Sequence, residues 1–212
     1  MDITSLDITG SEGFKLKNRF FSFGKGIKTL AIFFPGAGYT CDMPALYYSR
    51  NILLSRGFDI LTFEYSFQSR GVDFNLEVVP SVLVDAESAV QAVLKEKDYH
   101  EFILVGKSLG TRVLSSLMVK YPELTNSKAI YLTPVFSEGF NQLTAQVKQD
   151  ALMVIGTDDQ FYVPELISQL KAKKEFRLIV LEGADHGLEI KDNWSKSIEF
   201  MKTICEEVEK FL

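Results

Sequence analysis

From residue 29 to the end of the chain, short apolar runs alternate with longer segments whose apolar residues recur at helical spacing. The runs are Thr29–Phe34 (TLAIFF), Phe58–Tyr65 (FDILTFEY), Glu101–Val105 (EFILV), Lys128–Val135 (KAIYLTPV), Ala151–Ile155 (ALMVI) and Glu175–Leu181 (EFRLIVL). A short apolar run bounded by turn residues is the pattern of a strand buried on both faces. The intervening segments predict helices at Ala45–Ser55, from Pro80 to about Lys95, from Leu109 to about Lys120, and at Gly139–Val147 and Val163–Ala172. Gly57 and Pro122 stop two of them, while Pro80 and Pro164 sit where a first-turn amide needs no helical partner. A last helix, capped by Asp192 or Asn193, carries Trp194, Ile198, Met201, Ile204, Cys205, Val208 and Leu212 at helical spacing.

The start of the chain differs. Ser5–Thr9 and Leu16–Phe23 read as two extended segments about a glycine-containing turn, with Phe14, Leu16, Phe21 and Phe23 partly alternating. Ser66 to about Asn75 reads as a polar loop. The whole pattern predicts an α/β fold, a mostly parallel sheet with helices on both faces and right-handed crossovers, in one domain over residues 1–212. Parallel strands point one way, so the loops that follow them gather at the carboxyl edge, where ligands bind near the reversal of strand order.

Candidate chemistry falls on those loops. Gly106, Ser108 and Gly110 form G-x-S-x-G between a strand and a helix. In such an elbow the serine takes a strained backbone conformation, small flanking residues let strand and helix approach, and the helix amides face a developing oxyanion. The Gly106-Lys107-Ser108 run is not a phosphate loop, because Glu101 stands where that loop requires glycine. The dinucleotide glycine pattern also fails, since Thr111 occupies its last position. A serine hydroxyl needs a base. Of the two histidines, His100 precedes a strand and belongs to the wrong edge, whereas His186 follows one, between Gly183 and Gly187. The base needs an acid, and Asp158 and Asp159 follow a strand lying between serine and histidine in the chain. Spacing does not choose between them. Asp185 reads as a loop group and Glu64 as a reserve acid. The oxyanion donors are expected to be the Leu109 amide and one from Pro35–Gly38, Ala37 first and Gly38 second. Cys41 has no elbow around it. Tyr39, Phe67 and Phe136 either line a pocket or pack.

Composition narrows the picture further. A net charge of −5, with no basic tract beyond Lys171, Lys173 and Lys174, gives no footprint for nucleic acid. The first residues have no basic start and no long apolar run, and Leu30–Pro35 is too short to span a bilayer, so neither a signal peptide nor a membrane partner is expected. Cys41 and Cys205 are the only cysteines, which makes a poor disulfide framework and suits a cytoplasmic location. So few histidines and cysteines leave no expected zinc site, and no metal or cofactor is called for.

From Leu30 to the last helix the sequence resembles the α/β-hydrolase superfamily, and Gly106–Arg112, Gly156–Asp159 and Gly183–His186 are similar to small dienelactone-hydrolase-like and esterase-like members. The resemblance implies the α/β-hydrolase fold. It also implies that Asp159, placed after Gly156 and two variable residues, is the acid. Two features depart from those relatives. Pro35-Gly36 stands where many have His-Gly, which removes a side chain that often braces the oxyanion loop. Ser108 replaces the cysteine of dienelactone hydrolases proper, so lactone activity is not implied. The Gly-Lys-Ser-Leu-Gly form also resembles a branch that includes proteins with interaction roles. The short gap after Phe136 leaves no room for a large lid and predicts an open site for small soluble acyl substrates. The function expected is ester or thioester hydrolysis through an acyl-enzyme, with an inactive interaction protein as the alternative.

Overall fold

The computed structural model describes residues 1–124, 127–146 and 150–212. Its centre is one eight-stranded sheet in the order β1-β2-β4-β3-β5-β6-β7-β8. The strands are β1 Asp2–Thr4, β2 Asn18–Ser22, β3 Thr29–Phe34, β4 Asp59–Phe63, β5 Glu101–Lys107, β6 Lys128–Leu132, β7 Ala151–Gly156 and β8 Phe176–Leu181. β1 and β2 pair antiparallel, as do β2 and β4, and every other neighbouring pair is parallel.

The apolar runs are explained by burial on two faces. In β3, Leu30, Ile32 and Phe34 enter one core and Ala31 and Phe33 the other. β7 divides likewise, with Ala151 and Met153 on one side and Leu152 and Val154 on the other. Burial of each large apolar side chain stabilises the fold by about 1.5–3 kcal/mol. The first core is covered by α3 (Val79–Leu94), α4 (Leu109–Lys120), α5 (Glu138–Gln146) and α6 (Pro164–Lys171), through residues such as Val90, Leu114, Phe140 and Leu170. The second lies under α1 (Pro44–Ser55) and α7 (Trp194–Phe211), through Leu46, Leu53, Phe200, Ile204 and Val208. The Asn193 side chain caps α7 by accepting from the Lys196 amide. No large lid lies between β6 and β7, where α5 is the only helix among the described residues.

The structure corrects the sequence reading at the first strand, after β4 and at strand ends, β6 stopping at Leu132 rather than Val135. The first strand is Asp2–Thr4, not Ser5–Thr9. All three of its residues are exposed at the sheet edge, so burial left no pattern to read; its position is set by pairing Thr4 with Phe20. Ser5–Thr9 is instead tethered by Asn18, whose Oδ1 accepts from the Leu6 amide, with Ile8 buried. The expected loop after β4 begins with a one-turn helix, α2 (Ser66–Ser69), because the Gln68 side chain bonds back to the Tyr65 amide. The expected end of α5 at Val147 lies outside the described residues, and β5 runs on through Lys107, two residues past its expected end. Among the described residues no helix is long and apolar enough to cross a membrane.

Candidate active site

The strand order reverses at β3, which has β4 on one side and β5 on the other. The loops leaving β3 and β5 therefore diverge at the carboxyl edge and open a crevice there. Gly36 and Ser108 flank this point: a Cβ on Gly36 would stand 3.4 Å from Ser108 Cβ.

Ser108 has φ 52 and ψ −116, a conformation that costs an L-residue energy and persists only where its surroundings enforce it. They do so by close packing. A Cβ on Gly110 would overlap the Phe34 carbonyl oxygen, and one on Gly106 would overlap Leu114 and the Gly110 backbone. Thr111 locks the turn further: its Oγ1 donates to the Ser108 carbonyl at 2.6 Å and accepts from the Val135 amide at 3.0 Å. The hydroxyl of Ser108 stands at the N-terminus of α4, the positive end of its dipole.

His186 Nε2 lies 2.7 Å from Ser108 Oγ, and His186 Nδ1 lies 2.8 Å from Asp159 Oδ2. An ionised carboxylate only accepts, so in the neutral imidazole Nδ1 carries the proton and Nε2 is left to accept from the serine. Asp159 is held in place by burial and by the Phe161 amide, which donates to its Oδ1 at 2.9 Å. The Phe161 ring meets the imidazole edge-on, with centroids 5.2 Å apart. The His186 loop is shaped by Asp185, whose Oδ1 accepts from the Gly187 and Glu189 amides.

Of the two aspartates left open by spacing, Asp159 faces His186. Asp158 is exposed, and its amide donates to the Ala184 carbonyl. Glu64 lies 3.8 Å from Lys17 and His100 lies beside Asp98, both away from the row. Cys41 is buried against the Phe33 and Phe63 carbonyls, and burial pushes its thiol up to about 12, which leaves no thiolate for attack. Phe67 packs in the core, stacked on Tyr65, and Phe136 packs edge-on against Phe140. The Tyr39 hydroxyl is taken by the Ala45 amide.

Neither the Ala37 nor the Leu109 amide has an acceptor among the described residues, and the two lie on the two loops of the crevice. The brace missing from Pro35-Gly36 is supplied from elsewhere. Gln68 Nε2 donates to the Gly36 carbonyl at 2.8 Å and to the Ala37 carbonyl at 3.2 Å. Sequence reasoning missed Gln68, Lys107 and Thr133. Lys107 left one signal, a charge inside an otherwise apolar strand end; it is 1% exposed, with Nζ 2.6 Å from Thr133 Oγ1 and 2.7 Å from the His186 carbonyl oxygen. Gln68 left none. A groove of about 970 Å³ between α1 and α7, lined by Tyr48, Leu188, Ile190, Trp194, Ile198 and Met201 among others, borders the histidine loop, but Ser108, Asp159 and His186 do not line it. Among the described residues no group of His, Cys, Asp and Glu side chains could hold a metal ion.

A mostly parallel sheet with a strained serine after its central strand and a histidine and aspartate after later ones has the architecture of the alpha/beta hydrolases. The chain belongs to that family: residues 28–212 match the model described as an alpha/beta hydrolase domain. No curated protein matches the sequence significantly. Among solved structures, a putative alpha/beta hydrolase of unknown function from Agrobacterium tumefaciens is 22% identical, with TM-score 0.72 over 95% of this chain and 93% of that one. A serine hydrolase without lid from Xanthomonas campestris is 15% identical, with TM-score 0.70 over 100% and 95% of the two chains. Dienelactone hydrolase from Anabaena variabilis is 14% identical, with TM-score 0.68 over 98% and 95%.

Proposed function

We propose that the protein is a serine hydrolase that cleaves an ester or thioester of a small soluble substrate through an acyl-enzyme. The observation that carries this reading is the unbroken hydrogen-bonded row from Ser108 Oγ through His186 to Asp159, with the serine at positive φ. In the proposed reaction Ser108 Oγ attacks the acyl carbonyl as its proton passes to His186 Nε2. The carbonyl π pair moves onto oxygen, and the Leu109 and Ala37 amides receive that oxyanion. Collapse expels the alcohol or thiol, which takes the proton from His186. Water then attacks the acyl-enzyme and gives a proton to His186, and the acid departs as that proton returns to Ser108. Asp159 keeps Nδ1–H directed and stabilises the imidazolium. Each oxyanion donor contributes about 3–4 kcal/mol to the transition state.

In this reading the enzyme works as one domain, without cofactor, in the cytoplasm. Gly156–Asp159 resembles both dienelactone-hydrolase-like and small esterase-like members, and Ser108 in place of the cysteine of dienelactone hydrolases proper favours esters or thioesters over lactones. The absence of a large lid supports small or exposed acyl groups over long-chain fats. An interaction protein that has lost turnover would be expected to show an occluded elbow or a histidine turned away; Ser108 is only partly buried and His186 faces it.

The test is fluorophosphonate labelling read by intact mass, followed by hydrolysis of short acyl esters and thioesters. Stoichiometric labelling of the wild type is expected, abolished in Ser108→Ala and His186→Ala, with turnover reduced about 10⁶-fold in either. A folded wild type that takes no label at any pH would overturn the reading.

A further inference from the structure

Lys107 is a buried cation that the proposed reaction does not use. It is the last residue of β5 and directly precedes the candidate nucleophile. Its Nζ donates to Thr133 Oγ1 on the loop after β6 and to the main-chain oxygen of His186 on the loop after β8, and lies 4.8 Å from the centre of the Tyr39 ring on the loop after β3. One ammonium therefore touches three of the loops that build the crevice. Thr133 is itself held at φ 46, with its amide bonded to the Val154 carbonyl at 2.7 Å. The backbone that carries this acceptor is thus placed by the sheet. A plain core position at the end of β5 would take an aliphatic residue at no desolvation cost. An ammonium there costs free energy, and each of its protons faces an acceptor or a ring.

We propose that Lys107 is a positioning residue for the Ser108–His186 pair: by clamping the His186 carbonyl from the residue adjoining the serine, it sets the separation of nucleophile and base. The proposal rests on the serine-hydrolase reading above. The charged and titratable groups that face Lys107 are Asp159 on the loop after β7, Asp185 and His186 after β8, and Tyr39 after β3. Burial pushes the ammonium down to about 8, while the Asp159 and Asp185 carboxylates pull the other way. Removal of Lys107 takes the tether from the His186 main chain, so the imidazole is no longer held at a set distance from the serine.

The test uses Lys107→Met, which keeps the bulk and removes the charge, and Thr133→Ala, which removes one acceptor and keeps the charge. Two readouts are taken: the rate of fluorophosphonate labelling, and amide hydrogen exchange at Asp185–Glu189, where hydrogen-bonded amides report how firmly the His186 main chain is held. Lys107→Met is expected to label about tenfold or more slowly, with exchange there about tenfold or more faster. Thr133→Ala is expected to label more slowly than wild type, with a smaller rise in exchange. Labelling of Lys107→Met within about twofold of wild type would overturn the proposal. So would slowed labelling with unmoved exchange at Asp185–Glu189, which would make Lys107 a packing residue alone. If Lys107→Met does not fold, Thr133→Ala decides: slowed labelling supports the clamp and an unchanged rate refutes it. Failure of the hydrolase reading is seen separately, as a wild type that takes no label while exchange at Asp185–Glu189 still speeds up in Lys107→Met.

Discussion

A lysine stands at each end of the sheet, Lys107 buried and Lys97 half-buried, and the two are held in opposite ways. At the amino edge Lys97 meets a carboxylate: Nζ pairs with Asp59, which is fully buried at the start of β4, and donates to Ser22 Oγ at 2.8 Å and to the Gly24 carbonyl at 2.7 Å. Tyr99 adds a hydrogen bond to the same carboxylate at 2.8 Å, and burial raises the phenol's pKa. At the carboxyl edge Lys107 meets only neutral oxygens and a ring. The first arrangement neutralises charge and fastens β2 and β4 to the segment before β5. The second leaves a charge unneutralised by contact, beside the residues proposed to react. One end is built for stability; the other holds strained residues, Ser108 at φ 52, Thr133 at φ 46 and Leu188 at φ 68, in a fixed mutual arrangement.

The contrast breaks most sharply at the proposed acid. Asp159→Asn is expected to lower kcat about 10⁴-fold, because the amide no longer enforces the required tautomer. Its thermal midpoint should change little, and Asp158→Asn should stay within about twofold of wild type in the same steady-state assay. Next in size is the opposite edge. Lys97→Met leaves the buried Asp59 without its counter-charge and should cost about 3–5 kcal/mol in urea unfolding, with kcat per folded molecule unchanged. Equal losses of activity and stability in both variants would erase the distinction between the two ends. The smallest effect sharpens it: Gln68→Ala frees the Gly36 and Ala37 carbonyls and is expected to lower kcat about tenfold while costing only about 1 kcal/mol of stability.

Much of this arrangement was legible in the sequence where local pattern carried it. TLAIFF and ALMVI read as strands because both faces are buried, so every position from Leu30 to Phe34 and from Ala151 to Ile155 had to be apolar. The elbow was legible because Gly106 and Gly110 are spaced by a steric requirement that no other residue meets, and His186 because the other histidine stands before a strand. β1 was misplaced because an exposed edge strand buries nothing. The choice between Asp158 and Asp159 came from family resemblance: adjacent residues differ in direction, and direction depends on the turn after Gly156 folding against Ala184. Gln68 and Lys107 act on residues distant in the chain, through contacts that exist only once the loops have met. Neither leaves a periodicity or a spacing.

The packing of Gly110 against the Phe34 carbonyl has a mechanical consequence. β3 ends and α4 begins at the same point in space, with no layer of side chains between them to act as a cushion. Displacement of the Pro35–Gly38 loop is therefore transmitted to the turn that carries Ser108, and displacement of α4 returns along the same path. The serine and the loop opposite it therefore move together rather than past one another.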